Sequence, residues 1–191
     1  MRTRLNGLML LTVLSLSSTA VFAAADPYAD ALKTFKSAGP SASMFDSAYG
    51  YALFPTIGKG GAGIGGSRGT GKVYEQGKYI GNATMTQLTV GLQLGGQSFS
   101  QIIFFADKRS LDEFTSGNFE FGAQATAVAI TAGASAQAGT TGASAGASAG
   151  KNDATATGRY NKGMAVFTVA KGGLMYEAAI GGQKFKYEPA K

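Results

Sequence analysis

The sequence predicts a mainly β (α+β) fold. The expected form is a single domain of antiparallel twisted β-sheets in a sandwich or barrel-like body, with an N-terminal amphipathic helix and one or two further short helices. Three observations lead there. From Gly60 the pattern has a period of two, with Ala62 and Ile64 on one face and Gly61, Gly63 and Gly65 on the other. Met85, Gln87, Thr89, Gly91 and Gln93 then alternate with Leu88, Val90, Leu92 and Leu94 across one long strand. Finally, Ile102-Ile103-Phe104-Phe105 is apolar on both faces, as a strand covered on both sides requires.

Residues 1–25 stand apart from this body. Arg2 and Arg4 precede an apolar run from Leu8 to Leu16, and Val21-Phe22-Ala23 and Ala23-Ala24-Ala25 both offer small-x-small cleavage sites. That is the pattern of a secretory signal peptide, too short and wrongly flanked for a membrane span. Cleavage is expected after Ala23 or Ala25, giving an exported protein that is periplasmic or associated with the outer membrane. The chain has no Cys, so there is no cysteine to acylate and no disulfide framework.

Composition bounds the chemistry. The formal charge is +6, and loss of Arg2 and Arg4 lowers it to +4. A mildly basic protein favours anionic surfaces, and export argues against nucleic acid as the partner. The absence of both His and Cys removes the commonest general base, the thiolate nucleophile and the usual metal ligands. A non-catalytic protein with no cofactor and no metal is expected.

In order, Asp26-Pro27 reads as N-cap and first helical residue. Tyr28, Ala31, Leu32, Phe35 and Ala38 follow at helical spacing, and Gly39-Pro40 stops the helix. This amphipathic helix has two possible dispositions. It packs on the body with Lys33 and Lys36 in water, or it lies on a membrane with Leu32 and Phe35 inserted. Ser43 to Asp46 starts a second short helix in capping-box style. Tyr51 to Phe54 is a buried strand ended by Pro55, followed by a Thr-Ile-Gly-Lys turn that holds Lys59. Arg68 to Gly71 reads as a turn, Glu75-Gln-Gly-Lys78 as the turn of a hairpin, and Gly95-Gly96 as another turn. Asp107 caps a short helix carrying Leu111 and Phe114. A strand from Phe119 through Ile130 precedes low-complexity Ala/Gly/Ser sequence, which spans 133–152. Met164 to Val169, Leu174 to Ile180 and Phe185 to Tyr187 are the last strands, with Gly172-Gly173 and Gly181-Gly182 as turns.

The motifs that carry chemistry elsewhere fail here. Gly66-Ser-Arg-Gly-Thr-Gly71-Lys72 fits a phosphate-binding loop until Val73 stands where Ser or Thr must hold magnesium, and no helix follows. No nucleotide is expected. Asp107, Asp112, Glu113, Glu120 and Glu177 are scattered: Asp107 reads as a cap, Asp112 and Glu113 point to different faces, and Glu120 and Glu177 make the pair that general acid–base work needs only if folding brings their strands together.

Tyr51-Ala-Leu-Phe-Pro55, Gly58 to Gly66 and Gly69-x-Gly71 resemble the opening of the SYLF domain. In order there follow Leu88 to Gly96 with Ile102 to Phe105, the Asp107 to Phe114 helix with Gly117 and Asn118, and Ala165-Val-Phe167 with Lys171-Gly-Gly-Leu174. The resemblance covers about residues 44 to 188. It implies a lipid-binding module whose eukaryotic members bind phosphoinositides through an N-terminal amphipathic helix and a basic surface; some fungal members bind actin. The domain plan is then 26–43 as helix and linker and 44–191 as a SYLF-like β domain. A periplasmic protein meets neither actin nor, usually, phosphoinositides, so the expected partner is an anionic membrane lipid reached by peripheral contact. The residues expected to serve are Leu32, Lys33, Phe35 and Lys36 on the helix, with Lys59, Arg68 and Lys171 on the head groups. Two other readings share the sequence features: a small outer-membrane β-barrel and a scaffolding envelope protein without a small ligand.

Overall fold

The computed structural model describes residues 26–123, 125–130, 160–171 and 180–191. The expected signal peptide, the low-complexity segment at 133–152 and strand residues 174–179 lie outside them. The elements are α1 (Pro27–Ser37), α2 (Gly39–Ala42), α3 (Met44–Ser47), β1 (Gly50–Glu75), β2 (Lys78–Phe105), α4 (Lys108–Thr115), β3 (Asn118–Glu120), β4 (Val128–Ile130), β5 (Met164–Lys171) and β6 (Lys184–Pro189). The fold is mainly β, as expected, and open rather than a closed barrel. Among the described residues the sheet path is β3–β6–β2–β5–β4, with β1 on the other edge of β2. β4 runs parallel to β5 while the other strand pairs described are antiparallel, so the sheet is mixed and mainly antiparallel. The strand expected from Phe119 to Ile130 is two, because β3 pairs with β6 and β4 with β5.

β1 and β2 form one antiparallel ribbon, 26 and 28 residues long. Pro55, Arg68–Gly71 and Gly95–Gly96 all lie inside it, against the expected stops and turns. At Pro55 the reason is a bulge. Phe54 pairs with Gln101 and Ile57 with Phe99, so Pro55 and Thr56 together face Ser100. Proline has no N–H to give the ladder, and the extra residue lets it stand aside. The Ser100 hydroxyl donates to the Pro55 carbonyl at 2.8 Å and closes the gap.

A second irregularity lies between Ala62 and Ile64, whose partners are Leu94 and Val90. Gly61 has φ +153°, and a Cβ there would strike Gly65 Cα and the Ile64 carbonyl. The ribbon therefore doubles back at this point. Its halves approach so closely that a Cβ on Gly69 would stand 2.8 Å from the Thr56 carbonyl oxygen, and one on Gly71 2.7 Å from that of Leu53. The Gln76-Gly77 turn has φ of 48° and 79°, as a type I′ hairpin turn needs. Gln76 N–H donates to the Tyr49 carbonyl at 2.9 Å, so the turn returns to the base of the ribbon.

Alternation along the ribbon sorts the side chains into two cores. Ala52, Phe54, Ile103 and Phe105 join Val73, Met85, Phe114 and Phe185 in the core shared by the two ribbon halves. Leu53, Ile102, Phe104 and Phe167 face the other way and are covered by Ala31 and Phe35 of α1. The strand expected to be buried on both faces is buried on both faces for this reason.

The helix starts follow local chemistry. Asp26 accepts from Tyr28 N–H at 3.0 Å. Pro40 ends α1 but sits in the first turn of α2, and α3 forms without the expected Ser43 cap. Asp107 caps α4 as expected, its Oδ1 accepting from Ser110 N–H at 2.8 Å. That hydrogen bond is the main cause that holds the Asp107 carboxyl below its ordinary value.

Candidate functional site

The outer face of the second ribbon half carries a set of polar and charged side chains on one surface. Its rows follow from register. Arg68 pairs with Thr86 and Thr86 with Lys184, which faces Glu120 across β3. The next row on that side is Thr70, Thr84, Lys186 and Asn118, and the one after it Lys72, Asn82 and Glu188. Arg68, Thr84, Thr86, Lys184, Lys186 and Glu188 line a shallow open concavity there. Lys184 lies 3.6 Å from Glu120, and Lys186 Nζ donates to Glu188 at 3.0 Å. These are exposed pairs, and such pairs exchange readily with water and external anions. Arg68 makes no ion pair among the described residues. The face can hold anionic groups by charge and by donation from its guanidinium, ammonium and hydroxyl groups.

The residues expected from sequence fall into separate places. Phe35 is fully buried and Leu32 half-buried against the second core, so α1 has the packed disposition and its apolar face is not free to insert. Lys33 and Lys36 are exposed on α1, with Lys36 Nζ 5.5 Å from the Phe45 ring centre. Lys59 is half-buried within β1, paired with Gln97 rather than held in a turn. Lys171 ends β5, where its ammonium donates to the Thr56 hydroxyl at 2.8 Å. Only Arg68 belongs to the face described above. α1 meets the same half of the ribbon through Tyr28, whose ring has Lys72 Nζ 4.2 Å from its centre. Burial raises the Tyr28 phenol above its ordinary pKa, against the hydrogen bond with Thr70.

Sequence reasoning misses Lys184 and Lys186, and with them two apolar residues beside the face. Ile64 and Leu88 are 71% and 84% exposed at the bend of the ribbon. The signals are present. Lys184 and Lys186 flank Phe185 at strand spacing, which puts both on the face opposite a core residue. The alternation around Leu88 is also plain, but its apolar side reads as the buried one. In the structure Gln87 is buried and donates to the Gly181 carbonyl at 3.0 Å, while Leu88 is outside.

Among the described residues no three of His, Cys, Asp and Glu are grouped to hold a metal ion, and no helix is long and apolar enough to cross a membrane. Fold and surface define a helix-covered, mainly β module with a cation-bearing outer sheet face. The family described as Ysc84, Las17-binding protein actin regulator, matches residues 86–188, more than half of the chain, and the chain belongs to that family. This is the SYLF family of the sequence resemblance. It is linked to actin and lipid binding in general. The match runs from the middle of β2 into β6 and so contains Thr86, Lys184 and Lys186 of the outer face. No curated protein matches the chain.

Proposed function

We propose that this is an exported, non-catalytic protein that binds the surface of anionic phospholipid membranes, with the outer sheet face as the contact. The observation that carries the reading is the cross-strand row Arg68, Thr86, Lys184 with Lys186 beside it, on an exposed surface of a chain whose family is linked to lipid binding. Lys33 and Lys36 on α1 add charge without inserting. A basic side chain near an anionic bilayer contributes about 1 kcal/mol, so a few suffice for reversible, salt-sensitive attachment. The signal-peptide pattern of residues 1–25 supports a setting among bacterial envelope lipids, away from actin.

Co-sedimentation with vesicles containing phosphatidylglycerol tests this. Replacement of Arg68, Lys184 and Lys186 by Glu is expected to reduce binding about tenfold or more. Lys33→Glu with Lys36→Glu should have a smaller effect. Undiminished binding by the triple variant would overturn the assignment of the face. Pelleting of the parent with filamentous actin but not with vesicles would overturn the lipid reading.

A further inference from the structure

We infer that the bend of the β1–β2 ribbon is a membrane-inserting wedge, with Ile64 and Leu88 as its edge, entering the acyl boundary of an anionic bilayer. This rests on the reading of the outer sheet face as a lipid contact. Among the described side chains, which leave out those of 62–63 and 89–96, the exposed large apolar ones are Ile64, Leu88 and Tyr79, and Tyr79 is only 38% exposed, at the far end of the ribbon. Ile64 and Leu88 are diagonal neighbours on one face, since Gly66 pairs with Leu88 and Ile64 lies two residues further on. The polarity of the ribbon is inverted here. Ser67 and Gln87 are buried while Ile64 and Leu88 face water. A ribbon shaped only for solubility would have the opposite arrangement. In sequence, Leu88 opens the run Leu88, Val90, Leu92, Leu94.

The order of chemistry along the ribbon matches the order of a bilayer. The apolar pair comes first. Arg68, Thr86 and Lys184 form the next row, about 7 Å behind the Gly66–Leu88 pair at strand rise. Thr70, Thr84 and Lys186 follow. Apolar groups ahead of cations by that distance suit insertion to about 5–10 Å with the charges among head groups. Charge complementarity selects the bilayer over a second copy of the chain. Two copies meeting on this edge would bring their Arg68 and Lys184 side chains together.

The chain has no Trp, so a single introduced one reports alone. In the exported chain, Leu88→Trp is expected to shift its emission to the blue with phosphatidylglycerol-containing vesicles and to be quenched by brominated acyl chains. Tyr79→Trp, at the other end of the ribbon, should do neither. Ile64→Ser with Leu88→Ser should weaken partitioning about tenfold and leave a salt-sensitive remainder. If the Leu88→Trp protein pellets with vesicles while its emission stays water-like, the wedge is wrong and the charged contact stands. If the parent does not pellet at all, the lipid reading fails and the wedge with it. A blue shift without vesicles that grows with protein concentration would identify a second copy as the occupant and overturn the proposal.

Discussion

Gln101 and Gln183 are both fully buried and exchange two amide hydrogen bonds, at 2.9 and 3.1 Å. They join β2 to the segment ahead of β6, and Thr168, the partner of Gln101 across the sheet, is buried beside them. Removing one partner strands the other in a place water does not reach. Gln101→Leu should therefore cost about 1–3 kcal/mol in urea denaturation. Adding Gln183→Leu should recover part of that loss, because both amides then leave together. Losses that simply add would show that the pair is not coupled. Sequence marks Gln101 as a polar residue within an apolar strand, but its partner is 82 residues away. The same holds for Pro55. Its local meaning is a strand end, and the Ser100 hydroxyl that makes it tolerable is 45 residues distant.

At the scale of elements, periodicity is legible and destination is not. The spacing of Tyr28, Ala31, Leu32 and Phe35 declares one apolar helix face, and the Asp26 cap and Pro27 declare its start. Whether that face meets protein or lipid depends on Leu53, Ile102 and Phe104 being placed to receive it, which no local pattern reveals. Alternation in β2 has the same limit. It says that Gln87 and Leu88 lie on opposite faces, but not which face meets water. The ordinary expectation, apolar inward, is wrong at the bend and right at Met85. Glycine misleads for a physical reason. It serves turns and close approach equally, and at Gly69 and Gly71 close approach of the two ribbon halves is what it permits. Of the site, Arg68 stands out in sequence as a cation in a glycine-rich segment. Lys184 and Lys186 join it only through the β2–β6 register.

For the whole molecule, the titratable groups set a distinctive pH response. There is no His, so no side chain has an unperturbed pKa near neutrality. Of eight tyrosines, Tyr28, Tyr49, Tyr51, Tyr74, Tyr160 and Tyr187 are raised above 10.0. The main cause at Tyr49 is the hydrogen bond its hydroxyl gives Glu75 at 2.6 Å. At the others it is burial. A raised folded-state pKa means the fold holds the proton more tightly than the unfolded chain does. That stabilisation is complete below the unfolded value and is lost as pH rises through the folded one. Asp107 has the opposite sign, and its contribution is lost only as pH falls through its lowered value. Melting temperature should accordingly be nearly constant from about pH 5 to 9 and fall above about pH 10, in step with tyrosinate absorbance. A fall between pH 7 and 9 would contradict this account.

The return of the ribbon to its own base has a kinetic consequence. Partner residues are three apart at Glu75 and Lys78 but 55 apart at Gly50 and Phe105. Formed alone, the last rung would close a long loop; formed after its neighbours, each rung closes almost none. Folding of the ribbon should then zip outward from Gln76-Gly77, and the hydrogen bond from Gln76 to Tyr49 is made only when the doubled ribbon arrives. Gly77 sits at φ +79°, and nothing lies within 4 Å of where a Cβ would stand, so Gly77→Val strains the backbone without a clash. In stopped-flow measurements it should slow folding and leave unfolding nearly unchanged. If it speeds unfolding instead, the turn closes after the rate-limiting step, and the chain begins to fold somewhere else.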